Sequence, residues 1–129
     1  MRLLAIGSAL REICGDQAAL GLTFVEEAQT APKYRLYSID DDRHAALVED
    51  EEHGISVPGE IVEIPDDRWQ EILASEPPAV TQAPVELEDG RVVTAAVGDP
   101  EDPAFRRARD ITEYGGFAAY LRARRAGDA

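Results

Sequence analysis

The chain has 129 residues, 44% of them hydrophobic, with 26 acidic against 13 basic side chains and a formal net charge of −13. That length suits one domain able to bury roughly two-thirds of its unfolded surface, and the acidity disfavours nucleic acid, whose phosphates it repels. No apolar run nears the roughly 18 residues of a membrane span, Met1–Ile6 is too short for a secretory leader, and Cys14, the single cysteine, excludes a disulfide framework or thiolate zinc cluster. One cytoplasmic domain spanning residues 1–129 is expected.

Strand signals dominate the first two-thirds of the sequence. Arg2-Leu3-Leu4-Ala5-Ile6 is a short apolar run stopped by Gly7, which predicts a buried strand entering a loop. Residues 22–28 and 34–39 are rich in β-branched and aromatic side chains, with Pro32 interrupting any pairing between them. Ala45–Val48 predicts a further strand, bracketed by the acidic runs Asp40–Asp42 and Glu49–Glu52, which read as solvated turns. Ile55–Ile64 alternates around Pro58-Gly59, predicting one long strand with a bulge or bend.

Pro65-Asp66-Asp67 then supplies a helix start, with Trp69, Ile72 and Leu73 as a core-facing stripe and Pro77-Pro78 as the stop. Val85–Val97 is the clearest local signal, two apolar-alternating runs around Asp89-Gly90 that predict a hairpin. A proline-containing acidic loop follows at residues 98–103. The tail passes Gly115-Gly116 into a short helix with Phe117, Tyr120 and Leu121 on one face, and Arg122, Arg124 and Arg125 suit its C-terminal end. Strands followed by two short helices, without βαβ alternation, predict an α+β fold: a small, curved sheet or barrel that could bind a metabolite at its rim.

Few residues carry a chemical signature. There is no phosphate-binding glycine motif, no metal-ligand spacing for His44 or His53, and no base partner for Cys14, so neither metal nor cofactor is expected and both histidines read as surface residues. Two features stand out. Gly7 and Ser8 at a strand end can leave backbone N–H groups free for an anion, although such turns are also common without any ligand. Glu76, before Pro77-Pro78, faces the negative end of a helix dipole, which suits a general acid/base, the alternative being an exposed carboxylate.

Four segments in order resemble the C-terminal domain of allophanate hydrolases: Thr30–Tyr37 (T-A-P-K-Y-R-L-Y), Gly59–Pro65, Val85–Arg91 with its D-G turn, and Asp110–Leu121 (D-I-T-E-Y-G-G-F-A-A-Y-L). The resemblance implies a stand-alone copy of that domain with the γ-glutamylcyclotransferase-like fold, a small mixed β-barrel with short flanking helices. It further implies a substrate loop at Gly7, Ser8, Ala9 and Leu10, with Ile6 where cyclotransferases carry tyrosine and Ala9 where the hydrolase domain carries histidine, and it implies Glu76 as the acid/base.

Two functions follow from that resemblance. The first is a small-molecule enzyme or binding protein, cyclotransferase- or decarboxylase-like, in which Arg11 helps neutralise a small anionic metabolite. The second is a non-catalytic accessory module, forming homo-oligomers or partnering an amidase such as allophanate hydrolase. The C-terminal cluster Arg106, Arg107, Arg109, Arg122, Arg124 and Arg125 would then be either a docking surface or internal charge compensation. No nucleic-acid or membrane partner is expected.

Overall fold

A computed structural model describes residues 1–127. The strands are β1 (Arg2–Ala5), β2 (Thr23–Gln29), β3 (Tyr34–Ile39), β4 (His44–Glu49), β5 (Pro58–Glu63), β6 (Val80–Glu86), β7 (Val92–Gly98) and the two-residue β8 (Arg109–Asp110). The helices are α1 (Arg11–Cys14), α2 (Asp66–Ser75) and α3 (Phe117–Arg125), joined by 3₁₀ turns at Ala18–Leu20, Pro103–Arg107 and Thr112–Tyr114. Runs of strands broken by single helices, with no regular strand–helix alternation, make this the α+β, cyclotransferase-like architecture expected.

All eight strands form one mixed sheet in the order β2-β5-β1-β7-β4-β3-β8, with β6 paired to β7. The hydrogen-bonded path is open between β2 and β8. It curls far enough that a bridge between Thr30 and Leu87 ties the end of β2 to the end of β6, supported by the Ala31 N–H donating to the Glu86 carbonyl at 2.9 Å. Strand β7 is the pivot of the topology. Beside its antiparallel partner β6 it meets two parallel neighbours in succession, β1 at Thr94 and then β4 at Val97. Beyond Ala5 the chain leaves the sheet while β4 begins, so a gap opens between them.

The curled sheet wraps a central core of Leu4, Ile6, Leu36, Leu47, Val57, Ile61, Val85 and Leu87, closed at one end by Phe117 and Tyr120 from α3. Apolar burial of this kind is the main stabilising term. Leu3 and Val62, on the opposite face, pack with Ile64 and Leu22 beneath Trp69 and Ile72 of α2. Residues 59–62 of β5 are therefore buried on both faces. The stripe predicted for α2 is narrower than expected: Leu73 is 41% exposed, because α2 touches the sheet only through its Trp69–Ile72 side.

The expected long strand over 55–64 is also shorter. Ile55 makes a lone bridge to Tyr34, and the continuous strand starts at Pro58. Just before Ile55, Gly54 lies so close to the Lys33–Tyr34 peptide that a Cβ would fall 2.3 Å from its atoms. The chain's far end is fastened to β3. Thr112 Oγ1 accepts the Leu36 N–H at 2.9 Å and bonds Asp110 Oδ1 at 2.6 Å, and the Arg35 guanidinium donates to Asp110 Oδ2 at 2.6 and 2.8 Å. Partial burial pushes the Asp110 carboxyl up, but the Thr112 donors and Arg35 outweigh it and hold the group below its ordinary value.

Candidate functional site

The turn after β1 has three of its carbonyls engaged and three successive N–H groups free. The Gly7 carbonyl takes the Leu10 N–H at 3.0 Å, the Ala9 carbonyl takes Gln17 Nε2 at 2.8 Å and the Cys14 thiol at 3.5 Å, and the Leu10 carbonyl starts α1. The backbone N–H groups of Gly7, Ser8 and Ala9 donate to no acceptor among the described residues. Consecutive free amides of this kind form a concavity suited to an anion or a carbonyl oxygen. Glycine at position 7 has a steric reason: a Cβ there would lie 2.8 Å from the Ala45 Cβ, so the turn rests directly on β4.

Gly7, Ser8 and Ala9 line a cavity of about 190 Å³ in the gap where β1 and β4 part. Glu76 lines the same cavity from the end of α2, in extended conformation just past the last helical residue, where Pro77-Pro78 prevents the helix from continuing. Its carboxylate is held on one oxygen by Gln82 Nε2 at 2.7 Å, and Gln82 itself projects from β6 opposite Ala96. His44 and Ser75 complete the polar lining, while Leu3, Leu22, Val62 and Ile72 supply an apolar wall.

The remaining predicted site residues lie elsewhere. Leu10 is buried in the core and lines a second, larger cleft of about 650 Å³ on the other side of the same turn, together with Glu27, Glu60, Tyr114 and Gly116. Arg11 lines neither cavity. Its Nε donates to Glu60 Oε2 at 2.8 Å, its backbone N–H to Glu60 Oε1 at 2.9 Å, and its guanidinium reaches Glu27 at 3.2 Å while lying 3.7 Å over the Phe24 ring. Glu60 is only 8% exposed, and a buried carboxylate needs such a partner. Gln17 Nε2 also donates to Glu60 at 3.0 Å, so this one carboxylate anchors both the turn and the segment after it.

Sequence reasoning overlooked His44, Gln82 and Glu60. His44 read as a surface side chain, and Gln82 carried no motif. Glu60 had a legible signal, an acid embedded between Gly59 and Ile61-Val62, where a solvated carboxylate would break the apolar run. The arginine cluster divides: Arg122 pairs with Glu12, whereas Arg124 pairs with Asp42 at 3.2 Å and lies, with Arg109, near Tyr120. Internal compensation therefore accounts for Arg122 and Arg124. Among the described residues there is no group of three or more His, Cys, Asp or Glu side chains placed to hold a metal, and no helix is long and apolar enough to cross a membrane.

Comparison with known proteins agrees with this architecture. No curated protein matches the chain. The crystal structure of c4763, described as a uropathogenic E. coli-specific protein, is similar with a TM-score of 0.78 and 30% identity, over 93% of this chain and 94% of that one. The Kluyveromyces lactis urea amidolyase is similar with a TM-score of 0.79 and 23% identity, over 94% of this chain but 8% of that much longer one. The uncharacterised protein PH0828 from Pyrococcus horikoshii shares the fold with a TM-score of 0.67 at 15% identity, over 98% of this chain and 97% of its own. The model of the allophanate hydrolase C-terminal domain matches residues 1–122, and the chain belongs to that family.

Proposed function

We infer that the cavity between the Gly7–Ala9 turn and Glu76 binds a small carboxylate that also carries an amide or carbamate-type nitrogen, and that Glu76 moves a proton at that nitrogen. The reading rests on one observation, that unpartnered backbone donors and a half-buried carboxylate line the same cavity. The turn's N–H groups would hold the carboxylate or polarise a carbonyl oxygen, as preorganised donors do for developing negative charge. In a cyclising transfer, Glu76 takes the proton of the attacking amine and returns it to the leaving amine. In a decarboxylation, protonated Glu76 gives its proton to nitrogen as the C–N bond breaks and carbon dioxide departs. Either step places the chain in nitrogen metabolism.

Arg11 serves this site through Glu60, by fixing the turn. Crystals soaked with oxamate, a carboxylate joined directly to an amide, test the reading. It expects oxamate within hydrogen-bond reach of the Ser8 and Ala9 N–H groups, its nitrogen facing Glu76. Oxamate held only in the larger cleft contradicts it.

A second reading is supported by the Kluyveromyces lactis allophanate hydrolase, of which a region similar to this chain makes up 21%. On that reading the chain is an accessory module for an amidase, and co-purification with an amidase by a catalytically silent protein would favour it.

A further inference from the structure

His44 is the first residue of β4, and β4 is locked to β3 by the His44–Ile39 to Glu49–Tyr34 pairing. It is half-buried and lines the small cavity, and its side chain makes no hydrogen bond or ion pair among the described residues. Its neighbour Ala45 is the residue on which a Cβ at Gly7 would press, so the strand that carries His44 runs beside the turn. Glu76 enters from a different wall, steadied by Gln82. Among the cavity's lining side chains, these two are the carboxylate and the imidazole. The cavity is small, about 190 Å³, and both side chains line it.

We propose that His44 is a second ligand-contacting, proton-carrying residue of this cavity, working with Glu76 on a small carboxylate that bears an amide or carbamate nitrogen. This rests on the reading of the cavity given above and extends it from one carrier to two. An imidazole changes charge near neutrality, so it can meet a carboxylate as a charged donor or pass a proton. With the carboxylate held by the turn amides and His44, Glu76 is left for the nitrogen. When Glu76 removes an N–H proton, a protonated His44 supplies one to the leaving group, and the proton taken up by Glu76 then passes back to His44 through solvent, so no proton is consumed overall.

The chain has two histidines, so histidine-labelled protein gives ring resonances for His44 and for exposed His53 alone. Titration with oxamate, followed by NMR, is expected to shift the His44 ring and the Ser8 and Ala9 amides saturably, with His53 unmoved. His44→Gln should weaken oxamate about tenfold or more, as loss of a hydrogen bond to a charged group does. His44→Asn replaces it if the glutamine variant loses the native amide spectrum. Shifts at Ser8 and Ala9 with a stationary His44 ring and unchanged affinity in the variant overturn the assignment of His44 alone. No shift at Ser8 or Ala9 overturns the underlying reading of the cavity as well.

Discussion

The turn from Gly7 to Leu10 separates two hollows that differ in more than volume. In the larger cleft the charged groups other than the exposed Glu88 are matched: Glu60 and Glu27 with Arg11, Glu12 with Arg122, and Asp89 with Arg91, which also reaches Glu26. In the smaller cavity three backbone donors and an imidazole have no partner among the described residues, and the Glu76 carboxylate is held on one oxygen. Size alone would select the cleft. Unspent hydrogen-bonding capacity selects the cavity, because donors with no protein partner are free to meet a ligand's oxygens.

That contrast can be broken at several points. The largest effect is expected from Glu76→Gln, which should lower turnover about 10²- to 10⁴-fold, the range of general acid–base catalysis, with the thermal midpoint unchanged. Steady-state rates beside calorimetry decide it, and wild-type rates in the variant refute the assigned role. Gly7→Ala comes next. Its Cβ would press on Ala45 and force the turn to move, costing about 1–3 kcal/mol in urea denaturation and weakening oxamate in the same protein.

Arg11→Ala should separate the two hollows. Removing the partner of a fully buried carboxylate costs about 3–5 kcal/mol, and since the Arg11 side chain is 44% exposed a loss of about 2 kcal/mol is expected. Arg122→Ala breaks only an exposed pair with Glu12 and should change stability by less than about 1 kcal/mol, with oxamate affinity unaltered by calorimetric titration. The smallest effect belongs to Asp110, outside both hollows. Its carboxyl is held below the ordinary value, so its stabilising contribution is complete above the usual carboxylate range and disappears as the pH falls through the depressed folded value. Urea midpoints followed from neutral pH into that acid range should flatten in Asp110→Asn.

Much of the fold was legible because local rules agreed with the tertiary answer. Tyr34–Ile39 forms a strand with the boundaries its β-branched and aromatic residues predict, and Pro65 and Pro77-Pro78 frame α2 as their missing N–H groups require. The turn at Gly7 and the placement of Glu76 at a helix end were likewise legible, being punctuation by glycine and proline. What escaped depended on contacts distant in sequence. Whether His44 faces water or a cavity is decided by where β1 departs from β7, some fifty residues further on, and α1 is a single turn stabilised by Glu60 rather than by its own propensity. Leu73 failed for the converse reason, since periodicity reports an apolar face but not how widely the sheet beneath will cover it.

The strand that carries the turn is the first in the chain, yet it lies in the interior of the sheet. Leu3 pairs with Val62 on one side and Thr94 on the other, so neither neighbour of β1 exists until much later in the polypeptide. Pairings this non-local slow folding, because loop closure precedes the contacts that reward it. During synthesis β1 must therefore wait, apolar and unpaired, until β5 and then β7 emerge. The donor turn and the carboxylate that face each other in the finished molecule can meet only after β7 has docked, which makes the cavity one of the last parts of the protein to come into being.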